Sequence, residues 1–168
     1  LRAMSGSDAD FVLAGFEKIE NGKAVTYVPD RTGNYDGISA MSSFWDNTIH
    51  EDECYLLNSP CFKLFRLSVI RSCHVSFVEG LSYAEDKIFV FSFLAHASSA
   101  CTISSVVYSY LIREVSLSSD KVSDAHLKQV LMLLKEYHPL LSVLTSRYAD
   151  SRMLRGLYHT DFISRYVC

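Results

Sequence analysis

The stretch that decides the fold is EGLSYAEDKIFVFSFL, residues 79–94, in which a polar loop runs into a helix that is almost entirely apolar. A helix that is apolar on all sides must be buried on all sides, so we expect it to lie between layers of the fold. Glu85 and Asp86 fall in its first turn, where unpaired N–H groups and the helix dipole favour ionised carboxylates. Such a carboxylate can act as a general base, although acidic residues are also common in first turns for electrostatic reasons alone.

The composition around this stretch is that of one globular domain. The chain has 168 residues, of which 49% are hydrophobic, and a chain of this length can bury roughly two thirds of its unfolded surface. The net charge is -3 and the pI is about 6.1, with lysines and arginines spread along the sequence. This distribution lacks the basic patch of a nucleic-acid-binding protein, so nucleic acid is not an expected partner.

The cysteines and the apolar runs bear on the cellular compartment. The five cysteines form an odd set without a Cys-x-x-Cys pair, which favours a reducing compartment over a disulfide framework or a structural zinc site. The longest apolar run, residues 130–134, is far shorter than the roughly 20 residues of a membrane-spanning helix. No signal-peptide pattern opens the chain, so we expect a cytoplasmic protein. Because the sequence opens with LRAM, we also expect that a segment upstream is missing.

The first half of the sequence predicts a hairpin followed by a helix. Residues 9–19 are rich in β-forming residues and predict a central strand, and Asn21-Gly22 predicts a two-residue turn into an antiparallel strand at 23–28. Residues 29–35 carry Pro, Asp, Gly and Asn and predict a loop. Asp36 is a candidate N-cap for a helix with one apolar face, formed by Ile38, Met41, Trp45 and Ile49.

The second half predicts a long strand and then helices. Residues 58–66 predict a turn through Pro60 followed by an apolar segment, and residues 68–73 predict at most two helical turns. Residues 102–112 predict a strand with alternating faces. From Val122 onward the apolar residues have helical spacing, and Pro139 is expected to break the first of three helical stretches. The second stretch carries Leu140–Tyr148 and the third Leu154–Phe162.

Several segments resemble the second half of bacterial family 2 glycosyltransferases. They are KLFRLSVI at 63–70, FVEGLSYAED at 77–86 with its Phe-rich helix, and VYSYLIREVSLS at 107–118, in which Val115 stands where the family usually has glycine. Residues 9–16 resemble the strand that follows the family's metal-binding segment. The resemblance implies a GT-A fold. We therefore expect an α/β chain, α+β taken by itself, with the second half of a three-layer sheet domain in residues 1–118 and a helical appendage in residues 119–168.

The activity that the resemblance implies is inverting transfer of a sugar from a nucleotide-sugar donor to a glycan or lipid-linked acceptor, in polysaccharide or glycan biosynthesis. Asp86 matches the family's base, and a positioned carboxylate can accept the proton of a sugar hydroxyl as the new bond forms. Glu85 would orient Asp86 or contact the acceptor. Lys63 matches a cation that the family keeps near this site, but a solvated lysine at a strand edge is an equally good interpretation. Arg113 and Tyr83 are weaker candidates for substrate binding, since a loop tyrosine is more often packed.

A divalent cation, Mg²⁺ or Mn²⁺, is expected by resemblance for the complete enzyme, because a hard cation neutralises the leaving diphosphate. The sequence contains no Asp-x-Asp after an early strand. Asp8-Ala9-Asp10 matches by letters only, because it precedes its strand and would lie at the opposite edge of the sheet. The acidic residues 51–53 are interpreted as a helix end, and His50 with Cys54 as half a metal site at most. The donor half is therefore expected upstream of Leu1.

Two alternatives accompany the transferase hypothesis. The chain could be a non-catalytic α+β interaction module that associates through its C-terminal helices. Separately, four arginines of the tail, at 147, 152, 155 and 165, alternate with apolar residues as in a surface-bound amphipathic helix. Packing of these helices on their own domain or in a homodimer is the stronger hypothesis, because Asp150 and Asp161 lie in the same stretch.

Overall fold

The structure is a computed structural model that describes residues 8–48, 56–112 and 124–154. Within these ranges it is a mixed α/β fold with a curled sheet, as the sequence predicts. In chain order the elements are β1 (Phe11–Glu20), β2 (Lys23–Tyr27), β3 (Gly33–Asp36), α1 (Gly37–Thr48), β4 (Lys63–Phe65), α2 (Leu67–Ser72), α3 (Glu85–Leu94), β5 (Ser99–Leu111) and α4 (Asp124–Arg147).

The sheet is organised around β1, which pairs on both sides. The strand order is β2-β1-β5-β3, and β4 pairs with the first residues of β1. β1 runs parallel to β5 and antiparallel to β2 and β4. The pairing of β1 with β5 shifts in register around Gly15, where a Cβ atom would lie only 2.6 Å from Val28 Cγ1. Glycine is therefore needed where the chain after β2 closes over β1.

The predicted hairpin is confirmed. Asn21 and Gly22 both have positive φ, 51° and 75°, as a type I′ turn requires. β1 and β2 then pair antiparallel from Phe16 opposite Tyr27 to Glu20 opposite Lys23. This short turn fixes the register of the hairpin, so Phe16 and Tyr27 are brought side by side.

The predicted loop at 29–35 is wrong at its end, because Gly33–Asp36 forms β3. This short strand pairs antiparallel with β5, and the Thr102 hydroxyl of β5 accepts a hydrogen bond from the Gly33 N–H at 3.1 Å. The sequence of β3 has little β propensity, so its conformation follows from the partner strand. Asp36, the candidate N-cap, directly precedes α1.

The predicted apolar face of α1 is only partly correct. Met41 and Trp45 are fully buried, but Ile38 is 59% exposed, and Phe44 takes its place in the core. Ile49 lies outside the described residues. The buried positions 41, 42, 44, 45 and 48 cover one face of the helix. Ile38, three residues before Met41, belongs to the same face but lies in the first turn, where the core does not cover it.

The predicted buried helix is confirmed as α3. Its side chains from Ile88 to Leu94 are buried with the exception of Ser92. α3 shares one core with the sheet, α1 and α4. The largest fully buried side chains of this core are Trp45, Tyr137, Tyr148, Phe11, Phe44, Phe91, Phe93, Leu13, Met41, Leu57, Leu94 and Leu133.

The predicted break at Pro139 is wrong, because α4 continues through it from Asp124 to Arg147. Leu133, Tyr137, Leu141 and Leu144 form one buried stripe that includes residues on both sides of the proline. The burial of this stripe outweighs the backbone hydrogen bond that proline cannot donate. The first and second predicted stretches are thus one helix. Of the third stretch, the structure describes only the start, a helical turn at residues 152–154.

The end of α4 closes the C-terminal end of α3. The Tyr148 hydroxyl donates to the Leu94 carbonyl at 3.1 Å and to the Ala97 carbonyl at 3.0 Å, while the Arg147 guanidinium donates to the Ala95 and Ala97 carbonyls. These bonds satisfy carbonyl groups that a helix end leaves unpaired. The predicted boundary at residues 118 and 119 lies outside the described residues, yet α4 packs into the same core as the sheet.

Two residues of the proposed membrane-bound tail are occupied within the fold. Arg147 binds the end of α3 and Leu154 is fully buried, so neither is available to a lipid surface. Arg155, Leu157, Tyr158, Phe162 and Arg165 lie outside the described residues. In the part of the chain that the structure covers, every helix is too short or too polar to cross a bilayer.

Candidate active site

The two carboxylates at the start of α3 follow a residue in an unusual conformation. Ala84, the N-cap residue, has φ 55° and ψ 25°, a left-handed conformation that costs a residue with a Cβ roughly 1–2 kcal/mol. Its carbonyl accepts the first helical hydrogen bond, from the Ile88 N–H at 3.2 Å. The chain therefore turns sharply into α3, and Glu85 and Asp86 form its first turn as predicted.

Asp86 forms part of the wall of a cavity of about 460 Å³. The cavity lies over the C-terminal halves of the parallel strands β1 and β5, next to the turn that leads into β4. Ligands of α/β proteins commonly bind at the carboxyl ends of parallel strands. The lining residues are Phe16, Lys18, Tyr27, Asn58, Ser59, Cys61, Phe62, Asp86, Tyr108, Tyr110 and Ile112.

Aromatic rings give this cavity its apolar surface. Phe16 stacks on Phe62 with ring centroids 4.5 Å apart and on Tyr27 with centroids 4.9 Å apart, and Tyr108 packs beside Phe62. Phe16 and Phe62 are buried, so the tyrosines of the wall are the rings open to a ligand. A tyrosine can contact the apolar face of a sugar ring while its hydroxyl group hydrogen-bonds to the sugar. The cavity thus combines a surface suited to a sugar with one carboxylate.

Burial is the main influence on Asp86. Desolvation raises the pKa of this carboxyl, and the neighbouring Glu85 carboxylate raises it further. The charge of Lys63 and a hydrogen bond from Ser59 act in the opposite direction, without cancelling the rise. A carboxylate with a raised pKa is a stronger base than an exposed one, and it is ionised once the pH exceeds that pKa.

The structure rules out one of the two interpretations of Lys63, a solvated lysine, because this residue is only 8% exposed, although it does not itself line the cavity. Its Nζ donates to the Ser59 carbonyl and lies 3.6 Å from the centroid of the Phe62 ring. Desolvation lowers the pKa of Lys63 well below its usual range, although the Cys61 thiol and Asp86 favour its charged form. Lys63 is therefore a buried amine beside the carboxylate, and a solvated lysine at a strand edge is excluded.

The remaining candidates are placed less directly. Glu85 is half-buried beside Asp86 and does not line the cavity. Tyr83 does not line it either, since its ring packs edge-to-face against His126 of α4 with centroids 5.0 Å apart. Arg113 lies outside the described residues. The structure thus places Lys63 and Asp86 close enough for their charges to interact, while the ring of Tyr83 contacts His126 and not the cavity.

Sequence analysis missed most of the cavity wall. Phe16, Phe62 and Tyr108 come from two strands and a turn, and nothing in their local sequence indicates that they converge. Cys61 carries no signal in the sequence either, yet it lines the cavity, and its hydrogen bond with Tyr108 is the first cause of the raised pKa of that phenol. Only the strand order, with β1 directly beside β5, places these residues together.

Asp8 and Asp10, the letters of the Asp-x-Asp pattern, do not fit a cation site. Arg66 Nη2 lies 2.7 Å from Asp8 Oδ1, and Arg66 Nε lies 3.1 Å from Asp10 Oδ1. Asp10 Oδ2 also accepts a hydrogen bond from the Ser98 N–H. Both carboxylates, which precede β1, are thus paired with an arginine and do not line the cavity. Among the described residues, no three His, Cys, Asp or Glu side chains cluster as a metal site would require, and residues 50–54 lie outside the described ranges.

The sequence matches no family model and no curated protein. The fold is similar to solved structures of S. aureus TarS 1-349, which is 14% identical, with 95% of this chain and 41% of that chain covered at a TM-score of 0.53. The TarS complex with UDP is also 14% identical, with 95% of this chain and 40% of that chain covered at a TM-score of 0.54. The complex with UDP-GlcNAc is 18% identical, with 89% of this chain and 43% of that chain covered at a TM-score of 0.50.

TarS is a glycosyltransferase. The chain described here has a glycosyltransferase-like fold. It spans about two fifths of the length of these TarS chains, and the similarity at this level of identity concerns the fold alone.

Proposed function

We propose that this chain is the acceptor-side part of an inverting glycosyltransferase of polysaccharide or glycan biosynthesis, related to family 2, with Asp86 as its general base. The observation that carries the proposal is the position of Asp86, a carboxylate with a raised pKa in the wall of an aromatic cavity. Support comes from the glycosyltransferase-like fold and from the sequence resemblance around residues 77–86.

The proposed reaction is a single displacement. The acceptor hydroxyl oxygen forms a bond to the anomeric carbon, and the bond from that carbon to the donor's diphosphate oxygen breaks, its electron pair leaving with the diphosphate. The hydroxyl proton moves to the Asp86 carboxylate. Attack opposite the leaving group inverts the configuration at the anomeric carbon. The aromatic cavity would hold the acceptor, and Asp86 would accept its proton within hydrogen-bond distance.

The electrostatic surroundings of Asp86 suit this role. Its raised pKa makes proton transfer from a sugar hydroxyl less unfavourable than transfer to an exposed carboxylate. Lys63, when protonated, and the Ser59 hydroxyl stabilise the ionised form, so that enough of the base is ready to react. Glu85 is proposed to tune Asp86 through its charge. Arg113 and Tyr83 remain predicted substrate contacts, although Tyr83 would have to leave His126 to reach a substrate.

The donor is proposed to be a nucleotide sugar, as the TarS complexes with UDP and UDP-GlcNAc suggest. A divalent cation at the diphosphate stays an expectation from the resemblance. Asp8 and Asp10 do not fit it, so we assign no step of the reaction to the metal. A cytoplasmic location likewise stays a prediction from the sequence, as does peripheral membrane contact or a homodimer through the C-terminal helices.

The test of this proposal is Asp86→Asn in the full-length protein. We expect loss of sugar transfer by at least about 100-fold, because general-base catalysis contributes about 10²–10⁴-fold. Glu79→Gln is the matched control, since Glu79 is an exposed carboxylate of the same loop. Transfer is measured as incorporation of sugar into acceptor together with release of nucleoside diphosphate. Wild-type turnover in Asp86→Asn would refute the base assignment.

Folding of this variant can be checked by its stability. Because the folded-state pKa of Asp86 is raised, the folded protein binds more protons than the unfolded chain between the ordinary and the raised pKa, and stability falls as pH rises through that interval. A neutral asparagine side chain at this position avoids this loss. The variant should therefore be at least as stable as the wild type at neutral pH, so that lost activity cannot be attributed to unfolding.

A non-catalytic interaction module is the alternative, and one observation favours it. The second half of β5 exposes large apolar side chains, with Val107 58% and Leu111 56% accessible, as a binding surface would. A stable, folded full-length protein that neither binds nor transfers nucleotide sugars would support this function over transfer.

A further inference from the structure

A glutamine of α4 holds the loop that leads to Asp86. Gln129 Oε1 accepts a hydrogen bond from the Ser82 N–H at 2.7 Å, and Gln129 Nε2 donates to the Gly80 carbonyl at 3.0 Å. Both ends of the amide are used, so its orientation is fixed by its two partners. In the sequence, Gln129 is 47 residues from Ser82 and 49 residues from Gly80.

The backbone of the loop is irregular, so its N–H and C=O groups are not paired within a helix or a sheet. Gly80 has φ 77° and Ala84 has φ 55°, so residues 80–84 belong to neither a helix nor a strand. Such groups form hydrogen bonds to side chains or to water. Gln129 supplies one to Ser82 and one to Gly80, while the edge-to-face contact of Tyr83 with His126 attaches the next residue to the same helix.

The held loop ends directly at the first turn of α3. Asp86 is two residues beyond Ala84, and its surroundings are set on the other sides by Lys63 of β4, Glu85 of α3, Tyr108 of β5 and the Ser59 hydroxyl. The loop sets where the first turn of α3 begins, and with it the position of the Asp86 carboxylate at the cavity. Release of the loop would let this turn move, and a carboxylate that leaves its partly buried position becomes better hydrated.

We propose that Gln129 is a positioning residue for Asp86. The side-chain amide of Gln129 binds residues 80 and 82, a pair of hydrogen bonds called the clasp below, and thereby fixes the start of α3 against the cavity. This assignment rests on the proposed function for its effect on turnover. The geometric part, that the clasp controls the surroundings of Asp86, can be tested without any turnover.

The first experiment compares wild type, Gln129→Ala and Lys128→Ala, an exposed position on the same helix. Loss of one hydrogen bond should speed exchange of the Ser82 amide by about fivefold or more. Carboxyl NMR should show the pKa of Asp86 falling toward its ordinary value, as water reaches it. Gln129→Glu keeps the acceptor for Ser82 and should fall between wild type and Gln129→Ala in exchange rate. An unchanged Asp86 pKa in Gln129→Ala would overturn the proposal.

The second experiment measures turnover of the same variants in the full-length protein. We expect kcat of Gln129→Ala to fall about tenfold with KM within about twofold, since small misplacement of a base affects the chemical step. The acidic limb of kcat/KM should move to lower pH. A purely structural glutamine would lower only the folded fraction and leave that limb in place, which would contradict positioning. If the wild type transfers no sugar, the proposed function fails, and the exchange and NMR results alone decide on the clasp.

Discussion

At the scale of single residues, the charges of Lys63 and Asp86 act on each other. Protonated Lys63 lowers the pKa of the Asp86 carboxyl, and Asp86 in turn favours the charged form of Lys63. Burial opposes both charges. The two residues therefore form a pair in which each makes the other's ionisation less unfavourable.

Lys63→Met tests this pair. Loss of the positive charge should raise the pKa of Asp86 further, so that the acidic limb of kcat/KM moves to higher pH. Lys18→Met is the matched control, because Lys18 is a lysine that lines the cavity but pairs with Glu20 at 3.8 Å. The two pH–rate profiles are measured side by side. The same displacement in both variants, or none in Lys63→Met, would contradict a specific effect of Lys63.

The pH dependence of stability gives a second readout of Lys63. Its folded-state pKa is lowered, so between that pKa and its ordinary value the unfolded chain binds more protons than the folded protein. Stability consequently rises with pH through this interval. In Lys63→Met this alkaline rise should shrink, and it should remain in Lys18→Met.

At the scale of elements, α4 shows how packing overrides a local helix breaker. Pro139 is exposed, and the stripe that includes Leu133, Tyr137 and Leu141 is buried on both sides of it. A proline inside a helix removes a backbone hydrogen bond and crowds the preceding turn, at a cost of about 3 kcal/mol. α4 is continuous because its buried face contributes more than this cost.

Pro139→Ala should therefore stabilise the protein. The expected gain is about 1–2 kcal/mol in the free energy of unfolding, since the restored helix bond is partly offset by the greater freedom of the unfolded chain. Urea denaturation followed by circular dichroism measures it. Lys135→Ala, also exposed on α4, is the control and should change stability by less than about 0.5 kcal/mol. A loss of stability in Pro139→Ala would contradict this account of α4.

At the scale of the whole molecule, α4 belongs to the core that carries the site. Leu133 and Tyr137 are fully buried in the same cluster as Phe91 of α3 and Trp45 of α1, and Gln129 on the same helix holds the loop before Asp86. The helix thus supports α3 along its length and at both ends. We expect that damage to this packing affects the site as well as the stability of the fold.

Leu133→Ala and Leu131→Ala compare two leucines on α4. Leu133 is fully buried and Leu131 is 58% exposed. Leu133→Ala should cost about 2–5 kcal/mol of unfolding free energy because it leaves a cavity, whereas Leu131→Ala should change it by less than about 0.5 kcal/mol. Chemical denaturation of both variants gives the comparison. Similar costs for the two would show that α4 does not share the core.

The sequence by itself determined the features that depend on near neighbours. The Asn21-Gly22 turn fixes its hairpin through two left-handed residues, and the run at 88–94 dictates a buried helix because it has no polar face. The acidic pair at its start was also predictable, since Glu85 and Asp86 are adjacent in sequence. Each of these follows from local backbone preference and hydrophobic pattern.

Only the tertiary structure decided the rest. β3 exists because β5 offers it hydrogen bonds, and Pro139 is tolerated because distant side chains bury the face of α4. The burial of Lys63, the attachment of Tyr83 to His126 and the convergence of Phe16, Phe62 and Tyr108 join residues far apart in the chain. The physical reason is common to all: burial and long-range hydrogen bonds depend on which elements are neighbours, and no local pattern encodes that arrangement.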